Sequence, residues 1–212
     1  MRGAGLHHRQ ALIEGILQVT GHNASFDGIS TAGMLDTDLI VTMLQAAGAS
    51  EIHIRRAHQE VIIACQNTYL STCTSDLTPF LCAGVAETLC ELQSRGAVLG
   101  LVTGNLSRIG RKKIELAGLS TYFSVGAFAE DGVTRAQLAQ IAVSRAMEQG
   151  LVSTDSRISL IGDHRNDVFA AKQNGYQAVA VATGLTSLEE LSAAGPDILV
   201  RNLTELRLDE LF

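Results

Sequence analysis

The 212-residue chain carries 16 Lys and Arg against 22 Asp and Glu, a formal net charge of -6, and 46% of its residues are apolar. The basic residues are scattered, which argues against a nucleic-acid or anionic-membrane partner, and the apolar content argues against global disorder. No apolar run approaches the roughly 18 residues of a membrane span, and Glu14 breaks Ala11-Leu12-Ile13 at once, so neither an anchor nor a signal peptide is expected. The length allows one large domain or two small ones. Cys65, Cys73, Cys82 and Cys90 lack the close pairs of a metal site and are expected as buried thiols in a reduced, cytoplasmic setting.

In chain order, the first stretch reads as all helical. Ala11, Leu12, Gly15, Ile16 and Val19 recur at helical spacing, and Gly21 ends the run. A loop with Phe26-Asp27-Gly28 follows. A second helix is expected from Asp36, as N-cap, to Gly48, with Leu39, Ile40, Met43 and Leu44 inward. A third should run from about Glu51 to Leu70. Asp36-Thr37-Asp38 has the outline of a catalytic carboxylate pair, but no apolar strand precedes it, so helix capping is the reading adopted. Pro79 marks a boundary, giving a helical unit over 1–79 and a second unit over 80–212.

After Pro79 helices and strands alternate, the mark of a parallel α/β sheet. A helix over about 83–95 leads to the apolar strand Val98–Val102, expected to be covered on both faces. Thr103-Gly104-Asn105 follows, then a helix from Ser107 to Ala117-Gly118. Residues 123–128 read as a strand, and Thr134 caps the next helix. Ile158–Ile161 reads as a short buried strand ending in Gly162-Asp163, with a helix starting near Asp167 and closing at Asn174-Gly175. Strands at 178–182 and 198–200, around a helix over 188–194, complete the pattern.

Two strand ends carry useful chemistry on one sheet edge, where open α/β sheets place ligands. Thr103 offers a hydroxyl and the turn after it backbone amides, a combination that can hold phosphate oxygens. Asp163 and Asp167 offer hard oxygens suited to Mg²⁺. Lys113 could neutralise a phosphate. Each has a plainer reading taken alone: a turn threonine, a solvated lysine, two carboxylates that charge the start of a helix.

Taken together and in this order, these segments resemble the haloacid dehalogenase-like hydrolase superfamily, with a phosphoglycolate phosphatase-like pattern. Leu101-Val102-Thr103-Gly104-Asn105 is similar to its second motif, Lys113 in Lys113-Ile114-Glu115-Leu116-Ala117-Gly118-Leu119 to its third, and Gly162-Asp163 through Asp167 to its fourth. The resemblance implies a Rossmann-like parallel core with an N-terminal all-helical cap. It implies phosphoryl binding by Thr103, Gly104 and Asn105, with Lys113, rather than Lys112, holding the phosphate in register. It assigns Mg²⁺ to Asp163 and Asp167, and implies a small phosphorylated metabolite as partner of a monomer or homodimer. His7, His8, Arg9, Arg55 and Arg56 are the cap residues that could meet a substrate, with surface exposure expected for each.

The family's first motif, an apolar strand ending Asp-x-Asp-Gly-Thr that supplies the nucleophile of an aspartyl-phosphate intermediate, has no counterpart in these residues. Met1-Arg2-Gly3-Ala4-Gly5 resembles the segment just downstream of it, so the reading frame is expected to extend upstream by about a dozen residues. In the family that strand lies between those ending at Thr103 and Asp163. Its loss would leave a gap of roughly 9–10 Å, two strand spacings. Two readings follow: a phosphatase inactive as written, or a non-catalytic binding or scaffold relative. A dehalogenase fits less well, having no use for the metal, and no Gly-x-Gly-x-x-Gly supports a dinucleotide enzyme.

Overall fold

The computed structural model describes Met1 and residues 5–212. The likeness of Met1–Gly5 to a strand-to-cap junction rests largely on residues 2–4, which lie outside the described residues. Three long helices come first: α1 (Leu6–Thr20), α2 (Asp36–Ala46) and α3 (Glu51–Thr72). The apolar stripe of α1 buries Ala11, Leu12 and Ile16 against α3. Gly15 lets the two helices approach closely: a Cβ there would fall 2.5 Å from Cys65 Sγ. Gly21, at φ +70°, closes α1 in the left-handed conformation that favours glycine.

The remainder alternates α4 (Val85–Ser94), β1 (Gly100–Val102), α5 (Ser107–Leu116), β2 (Val125–Ala127), α6 (Arg135–Glu148), β3 (Ser159–Gly162), α7 (Arg165–Gln173), β4 (Gln177–Val181), α8 (Leu188–Ala193) and β5 (Ile198–Val200). Every strand pair is parallel. The Thr134 side chain caps α6 by accepting from the Gln137 amide, as its position before an apolar period implies. No helix among the described residues is long and apolar enough to cross a membrane.

The strands do not form one sheet. Among the described residues β1 pairs with β2 alone, and β3, β4 and β5 form a separate sheet in that order. Between the facing edges of β1 and β3 lies a groove of about 530 Å³, bounded by Gly100, Val102, Leu160, Ile161, Ala142 and Phe212. The open edges explain where the sequence reading overran. β1 begins at Gly100 instead of Val98, its ladder running Gly100–Val102 against Val125–Ala127 of β2. Neither β1 nor β3 is the buried strand expected, and Ile161 is 36% exposed. β4, flanked on both sides, is buried along Ala178–Val181.

Of four apolar clusters among the described residues, the two richest in buried side chains follow the split. The larger combines α1, α2 and α3 with Leu106, Ile109, Ala127, Leu138 and Ala142. A smaller one packs Val168 and Ala171 of α7 against Ala178, Ala180 and Leu191. α6 touches both sheets' surroundings, lying against β1, β2 and α7. The cysteine expectation holds for half the set: Cys65 and Cys73 are buried, Cys82 is half-buried and Cys90 exposed, all four as free thiols.

Candidate functional site

The turn leaving β1 is held from several directions. The Thr103 amide donates to the Ala127 carbonyl at 3.1 Å, fixing the turn to β2. Thr103 Oγ1 accepts from the Asn105 amide at 3.2 Å. The Asn105 carbonyl accepts from the Ala129 amide at 3.0 Å. The turn was expected to present free amides, but most are engaged within the protein: Leu106 N–H donates to Asp36 Oδ2 at 2.9 Å and Ser107 N–H to Glu130. Only the Gly104 amide has no intramolecular acceptor among the described residues of this turn. Gly104 is also closely covered, since a Cβ there would fall 2.9 Å from the Met34 carbonyl oxygen.

α5 sorts its two lysines by helical phase. Lys112 points outward and pairs with Glu115 at 2.7 Å. Lys113 points inward, where its Nζ donates to Asn105 Oδ1 at 2.7 Å and to His8 Nδ1 at 3.2 Å. Burial pulls its pKa from 10.5 down to about 8, against the opposing pull of the Asp36 carboxylate.

At the end of β3 the two carboxylates take different surroundings. Asp163 is exposed. Its Oδ2 lies against Gly184 in the loop after β4, where a Cβ would fall 2.6 Å away. Asp167 is packed on Gly162, which has no room for a Cβ. It sits in the first turn of α7, which begins at Arg165 rather than at Asp167: His164 is the N-cap, and Asp167 Oδ2 accepts from the His164 amide at 3.1 Å. Asp167 Oδ1 faces Arg135 Nε at 3.2 Å, an ion pair in position but without the alignment of a directed hydrogen bond. Burial pushes the Asp167 carboxyl above its ordinary pKa, and the Asp163 charge adds to that while Arg135 opposes it.

Thr103, Gly104, Asn105 and Lys113 are thus gathered at the carboxyl end of β1, and Asp163 and Asp167 at that of β3. The segment 33–36 spans the two: Gly33 packs on His164, Asn166 Nδ2 reaches the Gly33 carbonyl at 3.4 Å, and the Asp36 amide donates to the Gly104 carbonyl at 2.8 Å. Among the described residues no group of three or more His, Cys, Asp or Glu is clustered as a metal cage.

Three groups at these strand ends escaped the sequence reading. Asp36 does not cap α2, where Leu35 takes the N-cap position; its carboxylate is 4% exposed and faces Leu106 and His8 instead. His8 is not a surface residue but one of Lys113's two hydrogen-bond partners, while Arg9, Arg55 and Arg56 are exposed as expected and His7 is half-buried. Arg135 neutralises Asp167 from the first turn of α6. Their partners lie 28 to 105 residues away for Asp36 and His8, so no local pattern could signal them.

A family model described as haloacid dehalogenase-like hydrolase matches residues 37–181. Phosphoglycolate phosphatase of Vibrio parahaemolyticus is 32% identical over 122 residues, 58% of this chain and 53% of its own length. That of Synechococcus elongatus is 31% identical over 169 residues, covering 78% and 72%. The Escherichia coli enzyme of the same name is 29% identical over 127 residues, so the chain spans about half the length of the Vibrio and Escherichia relatives. Among solved structures, CbbY from Rhodobacter sphaeroides in complex with phosphate superposes with a TM-score of 0.71 at 19% identity, over 99% of this chain and 93% of that one. A beta-phosphoglucomutase from Clostridium difficile gives 0.69 at 18%, over 96% and 87%. Identities this low speak for the fold alone.

Proposed function

The chain belongs to the haloacid dehalogenase-like hydrolase family, and from that premise we propose that it recognises a small phosphorylated metabolite as part of a Mg²⁺-dependent phosphatase. The observation that carries this reading is the Lys113 ammonium, turned inward and tied to Asn105 beside the Thr103 turn. A buried cation with hydroxyl and amide donors near it is a site for phosphate oxygens. In this reading Thr103 Oγ1 and the Gly104 amide hold the phosphoryl group, and Lys113 balances its charge. The helices over 1–79 serve as the substrate-selecting cap. The free thiols and the metabolite substrate fit a cytoplasmic location, as monomer or homodimer.

Asp163 and Asp167 suit a hard cation that keeps much of its water, which Mg²⁺ tolerates. Asp163 is the exposed, available carboxylate, and Asp167, already neutralised by Arg135, would orient it. A bound Mg²⁺ would screen the negative charge of the phosphate. Millimolar Mg²⁺ should therefore raise the melting temperature modestly, by mass action on the folded state. Asp163→Ala should abolish the rise, and a rise that survives it would remove this carboxylate pair from the metal site.

Within the 212 residues no Asp-x-Asp-Gly-Thr segment supplies a nucleophile. Loss of a covalent nucleophile can cost on the order of 10⁶ in rate, so the chain alone should bind inorganic phosphate or tungstate but not turn over p-nitrophenyl phosphate. Turnover that disappears on Asp163→Asn would contradict this, and absence of phosphate binding that depends on Thr103 and Lys113 would contradict the site. The competing reading, a non-catalytic relative, rests on the same missing segment. It predicts that supplying an N-terminal strand ending in Asp-x-Asp-Gly-Thr restores no activity.

A further inference from the structure

We propose that Asp36 is a positioning residue: acting through His8 and the Leu106 amide, it holds Lys113 and the turn after β1 in their binding arrangement from across the interface with the N-terminal helices. Its role in phosphate binding rests on the function proposed above. Its hold on Lys113 does not.

The geometry is a chain of directed contacts. Asp36 Oδ2 accepts from His8 Nε2 at 2.8 Å and from the Leu106 amide at 2.9 Å. His8 Nδ1 then accepts from Lys113 Nζ at 3.2 Å, and Lys113 donates onward to Asn105 at 2.7 Å. An ammonium can only donate to Nδ1, which leaves Nε2 as the ring N–H directed at Asp36. A carboxylate buried to 4% exposure without a direct cation is costly, and the nearest compensating charge is one imidazole away. The titratable groups facing Lys113 are His8 on α1, Asp36 on α2, and Tyr69 and Cys73 at the end of α3. Tyr69 gives its ring, 5.9 Å from Nζ, and its buried hydroxyl has no partner among the described residues. Asp36 is therefore the only carboxylate among these groups. Its charge favours the ammonium form that burial opposes.

The test uses the full 212-residue chain. The Lys113 ammonium is titrated by NMR of isotopically labelled lysine, and inorganic phosphate binding is followed calorimetrically from pH 6 to 9. Asp36→Asn should lower the Lys113 midpoint by about one unit, a tenfold change in the proton equilibrium. It should move the loss of phosphate binding to lower pH by the same amount. Asp36→Glu should restore part of both. If Asp36→Asn does not fold, His8→Leu, which leaves the Leu106 contact in place, should give the same displacement. An unmoved midpoint in a folded variant overturns the proposal. If instead the midpoint moves while Lys113→Ala leaves phosphate affinity unchanged, the positioning of Lys113 stands and the phosphate reading falls.

Discussion

Lys113 shows how one side chain ties stability to pH. With its folded pKa near 8 and an ordinary value of 10.5, the group is charged in both states below pH 8, where its burial penalty is fully present. Between pH 8 and 10.5 the folded state releases the proton first, the unfolded state binds more protons, and stability rises with pH. The gain from this residue should reach on the order of 2–3 kcal/mol. Urea unfolding of wild type against Lys113→Met at pH 7.5 and 10 should show that difference; parallel pH dependence of the two proteins would mean the lysine is not desolvated. Gly184 offers a second case. Its backbone is not in the left-handed region, so alanine brings no strain, yet its Cβ would meet Asp163 Oδ2. Gly184→Ala should reduce the Mg²⁺-induced rise in melting temperature while leaving the metal-free melting temperature within a few degrees. An undiminished rise would show that Asp163 does not need this approach.

At the level of elements, the crossing of α1 on α3 depends on Gly15. A side chain there must displace Cys65, whose Sγ and backbone both lie within 2.7 Å of a Cβ. Gly15→Val should destabilise by roughly 1–3 kcal/mol, the range for overpacked cores, as read from denaturant midpoints. Such helices were legible in the sequence because their signal is local: an apolar period for α1, a glycine at φ +70° to stop it, a threonine to start α6. The division between Lys112 and Lys113 was legible too, since neighbouring positions on a helix cannot share a face. The extents of β1 and β3 were not, because a strand's length is set by its partners, and each has a partner on one side only. Asp36 was misread for a related reason. Two carboxylates at the start of a helix look alike in sequence, and only the fold buries Asp36 beside Leu106 while leaving Asp38 exposed.

The described residues form two parallel sheets beside the N-terminal helices, with one large apolar core on α1–α3 and β2, smaller clusters on both faces of β4, and α6 and the segment 33–36 joining the parts. The groove between β1 and β3 bears on how these 212 residues, taken by themselves, behave at high concentration. Gly100-Leu101-Val102 and Ser159-Leu160-Ile161-Gly162 contain no charged residue and no proline, the usual devices that keep a sheet edge from recruiting another chain. Each strand has a ladder partner on one side only, so the backbone groups of its other edge can accept an extended apolar segment. A solution of the 212-residue chain should therefore self-associate as its concentration rises, with light scattering increasing steeply and Ile161→Lys, at an exposed position, suppressing the effect. Scattering that is flat with concentration, or indifferent to Ile161→Lys, would mean that the groove shields these edges. For these 212 residues by themselves the groove is a colloidal hazard: their net charge of -6 is a general defence against aggregation, and none of that charge sits on the two strands that need it most.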